Sequence, residues 1–373
     1  MKSCERNYQL KYPTKIIFAC GAISTLPGII KNEKTLFVIG KSSEKNGLRD
    51  RLNKILSGSN FIILCGEVGE EAPLESVDKI VDIGRKENAN ILIGIGGGSV
   101  LDATKAAAGI IPTGGQVADY FHGSSKIKSK GITFIAAPTT AGTGTELTEN
   151  AVLSDKKTLT KKSIRSEHLI PDVAIIDPEL TFLCPPTLAT NSGMDALVQA
   201  IESLVCPESN NPSRALALKS VCLILDNLQK AVAGDNDAKI AVAEGSMLSA
   251  MSFSQTGLGA VHGLAHPVGI KFDIPHGRAC AILMRKVFRS NLEKIPSLYD
   301  EAAKVCGLNS STEFLDYIEK ICDSLGIPAN FARYGMSSKD FPFIIKNCRS
   351  RSMERNPCSY SDDEIENILQ SLS

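Results

Sequence analysis

Residues 91–108 read ILIGIGGGSVLDATKAAA, an isoleucine-rich run followed by three glycines and an alanine-rich stretch. The apolar run has the length and composition of a buried strand, and the alanine-rich stretch is typical of a helix. Glycines let a backbone approach a ligand closely, and the start of a helix offers unpaired N–H groups and a positive dipole end. The segment therefore predicts a strand–turn–helix unit able to hold a phosphate. Because GxGxxG is matched imperfectly, a structural turn is an equally good interpretation of this loop alone.

Similar apolar runs flank this segment on both sides. We predict strands at Thr35–Ile39, Phe61–Leu64, Ile91–Ile95, Thr133–Ala137 and Val173–Ile176, and a hairpin or edge strand at Lys15–Ala19. Between two of the strands, residues 73–87 carry apolar side chains at helical spacing. Strands that alternate with helices imply a parallel sheet covered on both faces.

The second half of the chain has a different pattern. From about Pro185 the β-branched runs stop and helical periodicity replaces them over Asp195–Val205, Ser213–Val232 and Asp237–Ser254. The change predicts two domains, an α/β domain over residues 1–179 and an all-helical domain over residues 180–373.

Composition narrows the functional classes. Lys plus Arg and Asp plus Glu both total 41, so no net field would attract nucleic acid or an anionic membrane. The N-terminal MKSCERNYQLKYP has no signal-peptide core, and no apolar run reaches the roughly 18 residues of a membrane span. We therefore expect a cytoplasmic protein. The 11 cysteines contain no CxxC pair, which favours free thiols over disulfides or a cysteine zinc knot.

A second polar loop, PTTAGTGTE over residues 138–146, follows another predicted strand. Hydroxyls and glycine amides at the carboxyl end of a parallel strand suit a nucleotide. Capping of the next segment is the alternative interpretation. Two such loops after separate strands favour a nucleotide site.

Three of the five histidines fall within 15 residues, at His262, His266 and His276. A helix puts His262 and His266 on one face, and converging imidazoles suit zinc or iron(II). Asp195 and Gln199 share one face of a predicted helix and supply further oxygen donors. Spacing alone does not distinguish a ligand role for Asp195 from a favourable position in a first helical turn.

Five motifs in order resemble the iron-containing (group III) alcohol dehydrogenases, which share a fold with glycerol dehydrogenases and dehydroquinate synthases. They are GGGSVLDATK from Gly96, PTTAGTGTELT from Pro138, LIPDVAIIDPELT from Leu169, GMDALVQAIES from Gly193 and HGLAHPVGIKFDIPHG from His262. The order of the motifs makes the match specific, because no single motif would be.

The resemblance implies a metal-dependent, NAD(P)H-linked oxidoreductase that interconverts a small aldehyde and its primary alcohol. It also implies that residues 1–179 bind the dinucleotide, that residues 180–373 bind metal and substrate, and that the protein is a homodimer. The implied metal ligands are Asp195, His262, His276 and, at the fourth position, Gln199. The implied cofactor residues are Gly97, Gly98, Ser99, Asp102, Thr139, Thr140, Thr143 and Lys162. His266 corresponds to a histidine that does not bind metal and suits proton relay.

Gln199 departs from the family pattern, which has histidine there. An amide oxygen is a harder and weaker donor than imidazole. Three interpretations stay open: Gln199 is a poor ligand, water replaces it as in glycerol dehydrogenases, or the metal is dispensable as in maleylacetate reductases. The metal itself is Fe²⁺ or Zn²⁺.

The residue after the strand TLFVI is a second departure. Many NAD-preferring relatives have an aspartate there, whereas this chain has Gly40, Lys41 and Ser42. Without the carboxylate, a lysine and a hydroxyl leave room for the 2′-phosphate of NADP, although a simple glycine turn is the alternative. The cofactor is therefore predicted to be NADP(H) or NAD(H), with NADP(H) favoured.

Four other functions compete with the metal-dependent oxidoreductase. A metal-independent reductase would use His262 and His276 to bind substrate, and a glycerol dehydrogenase-like enzyme would oxidise a polyol. A nucleotide-binding module would bind dinucleotide without turnover. A lyase like dehydroquinate synthase fits the HGLAHP segment less well.

Overall fold

The computed structural model describes residues 8–43, 45–69, 71–158 and 160–373. They form two compact units. The first, called the sheet unit, comprises Tyr12–Thr140 and Gly144–Cys184. The second, called the helical unit, comprises Ala141–Thr143, Pro185–Ser373 and the described residues up to Lys11. Of the N-terminal segment MKSCERNYQLKYP, for which no signal-peptide core was predicted, the first seven residues lie outside the described residues. The domain boundary near residue 180 stays a prediction.

The sheet unit has eight strands within the described ranges. They are β1 Lys15–Phe18, β2 Thr35–Ile39, β3 Phe61–Cys65, β4 Ile91–Gly96, β5 Thr133–Pro138, β6 Asn150–Asp155, β7 Thr160–Arg165 and β8 Val173–Ile176. Six of these form a parallel sheet in the order β1-β8-β5-β4-β2-β3. The five predicted strands lie in this sheet, and their ends agree within one residue.

Two features of the sheet unit were not settled by the sequence patterns. β1 is an edge strand that pairs parallel to β8, so the hairpin alternative for Lys15–Ala19 is wrong. β6 and β7 form a separate antiparallel pair that was not predicted.

Helices cover both faces of the sheet, as predicted. They are α1 Leu26–Ile30, α2 Leu48–Ile55, α3 Leu74–Lys86, α4 Gly98–Ile110 and α5 Val117–His122. Side chains alternate along a strand, so Leu36 and Val38 of β2 pack in the core with α3 and α4. Phe37 and Ile39 point to the opposite core, with α1 and α2. The α/β fold predicted for the first half is confirmed.

The helical unit packs around one large core. Its helices are α6 Pro186–Val205, α7 Asn211–Val232, α8 Asn236–Thr256, α9 Ala260–Phe272, α10 His276–Lys294, α11 Asp300–Val305, α12 Ser311–Ser324, α13 Phe341–Asn347, α14 Arg351–Glu354 and α15 Asp362–Leu372. The predicted helices are confirmed, but α6 begins at Pro186 rather than at Asp195, because proline is well suited to a first helical turn. Throughout the described residues, none of the helices is long and apolar enough to cross a membrane.

Candidate functional site

Three helices of the helical unit converge on one buried point. α6 contributes Asp195, α9 contributes His262, and the start of α10 contributes His276. Gly277 makes this convergence possible, because a Cβ there would lie 1.9 Å from the backbone oxygen of Asn191 on α6. The bare glycine therefore lets α10 begin directly against α6.

The convergence brings together three of the four side chains predicted to bind metal, and one that was not predicted. His262 Nε2 lies 3.4 Å from Asp195 Oδ1, and His276 Nε2 lies 3.8 Å from the same oxygen. Cys280, one helical turn after His276, places its Sγ 3.7 Å from His276 Nε2. One donor atom from each of these four side chains lies within 4.8 Å of the others. The separation is small enough for a single ion to reach all four.

Buried polar atoms in this cluster lack the partners that folded proteins normally supply. Asp195 Oδ1, His262 Nε2 and Gln199 Oε1 are buried and have no hydrogen-bond partner within the described parts of the chain. An unsatisfied buried polar group costs about 1–3 kcal/mol, more if it is charged. A divalent cation accepts lone pairs from all three atom types, so the residues present fit a metal.

Glu202 fixes the orientation of His262. One carboxylate oxygen, Oε2, accepts from His262 Nδ1 at 2.6 Å, and the other, Oε1, accepts from the Val261 backbone N–H at 2.7 Å. With Nδ1 carrying the proton, the lone pair of Nε2 faces Asp195. A carboxylate behind a histidine in this way is typical of metal ligands. No role for Glu202 was predicted from the sequence.

The electrostatics of the cluster favour a positive charge. Burial lowers the pKa of His262, but Cys280, Glu202 and Asp195 together raise it well above its ordinary value. Burial raises the pKa of Asp195, yet His276 and His262 outweigh it and bring the pKa below its usual range. Burial raises the pKa of the Cys280 thiol to about 12. The site therefore stabilises a cation, whether a proton or a metal ion.

Gln199, the predicted fourth ligand, is buried on α6 one turn after Asp195. Its unpartnered Oε1 is compatible with a ligand role, which stays a prediction. Cys280 was missed because cysteines were judged by CxxC spacing. The useful signal was its helical spacing of four from His276, the same spacing that singled out His262 and His266.

His266 lies one turn after His262 on α9, and its ring stacks on that of His276. The ring centroids are 5.1 Å apart and the planes are 19° from parallel. His266 is partly exposed, unlike His262. It borders the cluster without being one of the four donors.

In the sheet unit, the predicted phosphate loop follows β4 as expected. Gly97 has extended backbone and is the residue before α4, so Gly98 and Ser99 begin the helix. Thr139 N–H donates to the Gly96 carbonyl at 2.9 Å, which joins this loop to the one after β5. Thr140 is near Gly97, because a Cβ on the glycine would lie 3.7 Å from Thr140 Cγ2. Backbone N–H groups and hydroxyls are thus gathered at a helix start, which suits a pyrophosphate.

Gly40 lies at the carboxyl end of β2, next to β4 in the sheet. Its N–H donates to the Ile95 carbonyl at 3.1 Å. The exposed Lys41 and Ser42 begin a 3-10 helix directly after it. The predicted cofactor residues of β2, β4 and β5 therefore share one edge of the sheet, where ligands of parallel sheets bind.

The other predicted cofactor residues are more scattered. Asp102 is buried on α4, and burial raises its pKa to about 6. The exposed Lys162 on β7 lies over the Phe121 ring, with Nζ 4.8 Å from the centroid. Thr143 belongs to the helical unit. Cofactor contacts by these three residues stay predictions.

Comparison with known proteins gives two family matches. Residues 13–178 match the family "Iron-containing alcohol dehydrogenase", and residues 189–373 match "Fe-containing alcohol dehydrogenase family, C-terminal". Together the two matches span most of the chain.

Individual relatives agree with the family matches. The chain is 32% identical over 341 residues to long-chain-alcohol dehydrogenase 1 of Geobacillus thermodenitrificans, covering 87% of this chain and 86% of the relative. It is 32% identical over 347 residues to lactaldehyde reductase of Escherichia coli, covering 88% and 90%. The solved structure of sulfoacetaldehyde reductase from Bifidobacterium kashiwanohense in complex with NAD+ superposes with a TM-score of 0.92 at 26% identity, over 98% of each chain.

Proposed function

The chain belongs to the iron-containing alcohol dehydrogenase family, and from this premise we propose that it is a metal-dependent, NAD(P)H-linked oxidoreductase that interconverts a small aldehyde and its primary alcohol. Family membership makes it an oxidoreductase of the alcohol dehydrogenase and aldehyde reductase kind. Beyond this, we propose the metal dependence, the cofactor preference and the roles of individual site residues.

One observation carries the metal dependence. Asp195 and His262 hold buried, unpartnered donor atoms 3.4 Å apart, with His276 beside them. Three helices and the Glu202 hydrogen bond maintain this arrangement. A metal-independent reductase would have to leave these donors unsatisfied or hydrogen-bond them to substrate. The cluster therefore supports a divalent cation held by Asp195, His262 and His276.

A divalent cation bound there would polarise a substrate carbonyl and stabilise the negative charge that develops on its oxygen. The bound nicotinamide cofactor would supply the hydride. Glu202 keeps His262 in one tautomer, so that the Nε2 lone pair of the histidine is available. Apolar side chains of α6 and α10 surround Asp195 and exclude water from it.

We assign proton transfer to His266. Its partly exposed ring, stacked on that of His276, can exchange protons with solvent while it borders the cluster. His266→Ala should keep the metal content of the wild-type protein and lower turnover about 10²-fold or more. Unchanged turnover would remove this role from His266.

For the cofactor, we propose that the edge formed by Gly40, Gly97–Ser99 and Thr139–Thr140 binds the dinucleotide. The start of α4 would hold the pyrophosphate. Gly40, Lys41 and Ser42 offer no carboxylate to repel a 2′-phosphate, which supports a preference for NADP(H). The homodimer implied by the family stays a prediction.

The test is a matrix of assays on the purified full-length chain. NADPH and NADH are compared in parallel against short neutral, hydroxylated and acidic aldehydes, each with chelated protein and with added Zn²⁺ or Fe²⁺. The proposal predicts aldehyde reduction that chelation abolishes and metal restores.

Two other outcomes would point elsewhere. Full activity after complete removal of metal would favour the metal-independent reductase. Dinucleotide binding without turnover on every aldehyde would favour a non-catalytic nucleotide-binding module.

A further inference from the structure

Cys280 borders the candidate metal site, although no sequence pattern singled it out. It is fully buried on α10, and its Sγ is 3.7 Å from His276 Nε2. A cysteine alone marks no site. Here it belongs to the four-residue donor group, and two other members, Asp195 and His262, have buried atoms without a hydrogen-bond partner in the part of the chain that the structure describes.

The spacing of the donors fits tetrahedral coordination. Metal–ligand bonds of about 2.0–2.3 Å in a tetrahedron separate neighbouring donors by roughly 3.3–3.8 Å. The separations are 3.4 Å between Asp195 and His262, 3.8 Å between Asp195 and His276, and 3.7 Å between His276 and Cys280. Three of the six donor pairs therefore already have the spacing of neighbouring tetrahedral ligands, and the other three lie within 4.8 Å.

Two side chains compete for the fourth position. Gln199 Oε1 is a neutral, hard oxygen, whereas a Cys280 thiolate is an anionic, soft donor that zinc binds readily. Gln199 follows Asp195 on the same helix, whereas Cys280 follows His276 on the helix that approaches from the other side. Cys280 Sγ lies 3.7 Å from His276 Nε2 and within 4.8 Å of the donor atoms of Asp195 and His262.

We propose that Cys280 Sγ, rather than Gln199 Oε1, is the fourth protein ligand, and that the resulting Asp–His–His–Cys set selects zinc over iron(II). The inference rests on the metal site of the proposed function and goes beyond it by naming the ligand and the metal. On binding, a sulfur–metal bond forms and the thiol proton is released to solvent.

The test is a cobalt(II) titration of the metal-depleted full chain, because thiolate bound to cobalt gives a sulfur-to-metal charge-transfer band in the near ultraviolet. Four proteins are compared: wild type, Cys280→Ser, Gln199→Ala and Cys322→Ser. Cys322 is a matched control, since it is a fully buried thiol on α12 and lies outside the donor group. Bound metal per chain is measured by mass spectrometry, and zinc affinity by competition with a chelator.

We expect the band in the wild type, in Gln199→Ala and in Cys322→Ser, and its loss in Cys280→Ser. Removing a residue that only supports a ligand typically weakens metal affinity on the order of 10–100-fold, so loss of a direct ligand should raise the zinc Kd by at least that factor. The wild type should take up zinc in preference to iron(II) when both are supplied anaerobically in equal amounts.

The outcomes separate this inference from the proposed function. Cobalt binding by the wild type without the band, or an unchanged band in Cys280→Ser, overturns the role of Cys280 and leaves metal-dependent reduction standing. If only the Gln199→Ala variant loses metal, the role of Cys280 is also overturned, and the Gln199 amide oxygen is the fourth ligand instead. If the wild type binds neither cobalt nor zinc, both the inference and the metal dependence fail.

Discussion

Gly40 tests the cofactor preference at the scale of a single residue. A Cβ added there would meet Val100 Cγ2 at 3.8 Å, an ordinary contact, so a side chain fits. Gly40→Asp places a carboxylate where a 2′-phosphate would lie, and like charges about 4 Å apart repel by roughly 1–4 kcal/mol. We expect the kcat/KM ratio of NADPH to NADH to fall on the order of 10-fold or more. Gly40→Asn is the control of equal size, and an equal fall in that variant would show that charge is not the cause.

Glu146 makes a second prediction, on pH dependence. It is buried in the segment between β5 and β6, and burial raises its pKa from 4.5 to about 7. The folded state therefore keeps a proton that the unfolded chain loses, so Glu146 contributes stability at low pH that is lost as pH rises from 4.5 to 7. The full loss is roughly 3 kcal/mol. Melting curves across this range should show a smaller decline for Glu146→Gln than for the wild type; parallel declines would contradict the assignment.

At the scale of elements, the contact between α6 and α10 decides whether the metal donors meet. In Gly277→Ala, the new methyl group would collide with the Asn191 backbone and push α10 away. We expect a loss of about 1–3 kcal/mol of stability, typical of overpacking, together with reduced metal content. Gly28→Ala is the control, because this exposed glycine in α1 has open space around it. If Gly277→Ala leaves the melting temperature and the metal content unchanged, the close approach of α10 to α6 is not needed for metal binding.

Some strands and helices could be predicted from the sequence and others could not. β2 and β4 are buried on both faces, so their unbroken apolar runs are distinctive. β7 was missed because Thr160–Arg165 carries three cationic side chains and is mostly not buried, leaving no apolar alternation to detect. The start of α6 was missed because its first two turns are polar and begin with proline.

The candidate site was predictable to a similar extent. His262 and His276 could be singled out because clustered histidines have a recognisable spacing, whereas the ligand role of Asp195 was implied by the family resemblance and not by spacing. Cys280 and Glu202 were not, because their roles depend on the packing of α6, α9 and α10, which no local pattern encodes. The cofactor residues that follow β2, β4 and β5 could be grouped because parallel strands end at the same edge.

At the scale of the whole molecule, the chain carries equal numbers of acidic and basic residues, so local groups rather than a net field must attract its ligands. The sheet unit holds the proposed dinucleotide edge, and the helical unit holds the proposed metal donors. The proposed reaction requires both ligands on one chain. That reaction depends on one cation bound jointly by side chains of α6, α9 and α10.

The most direct measurement is a crystal structure of the purified full chain, with anomalous diffraction recorded on both sides of the zinc and iron absorption edges. We expect one strong anomalous peak within about 2.0–2.3 Å of Asp195, His262 Nε2 and His276 Nε2. A metal-loaded crystal with no peak at this point, or with these three side chains directed away from one another, would contradict it.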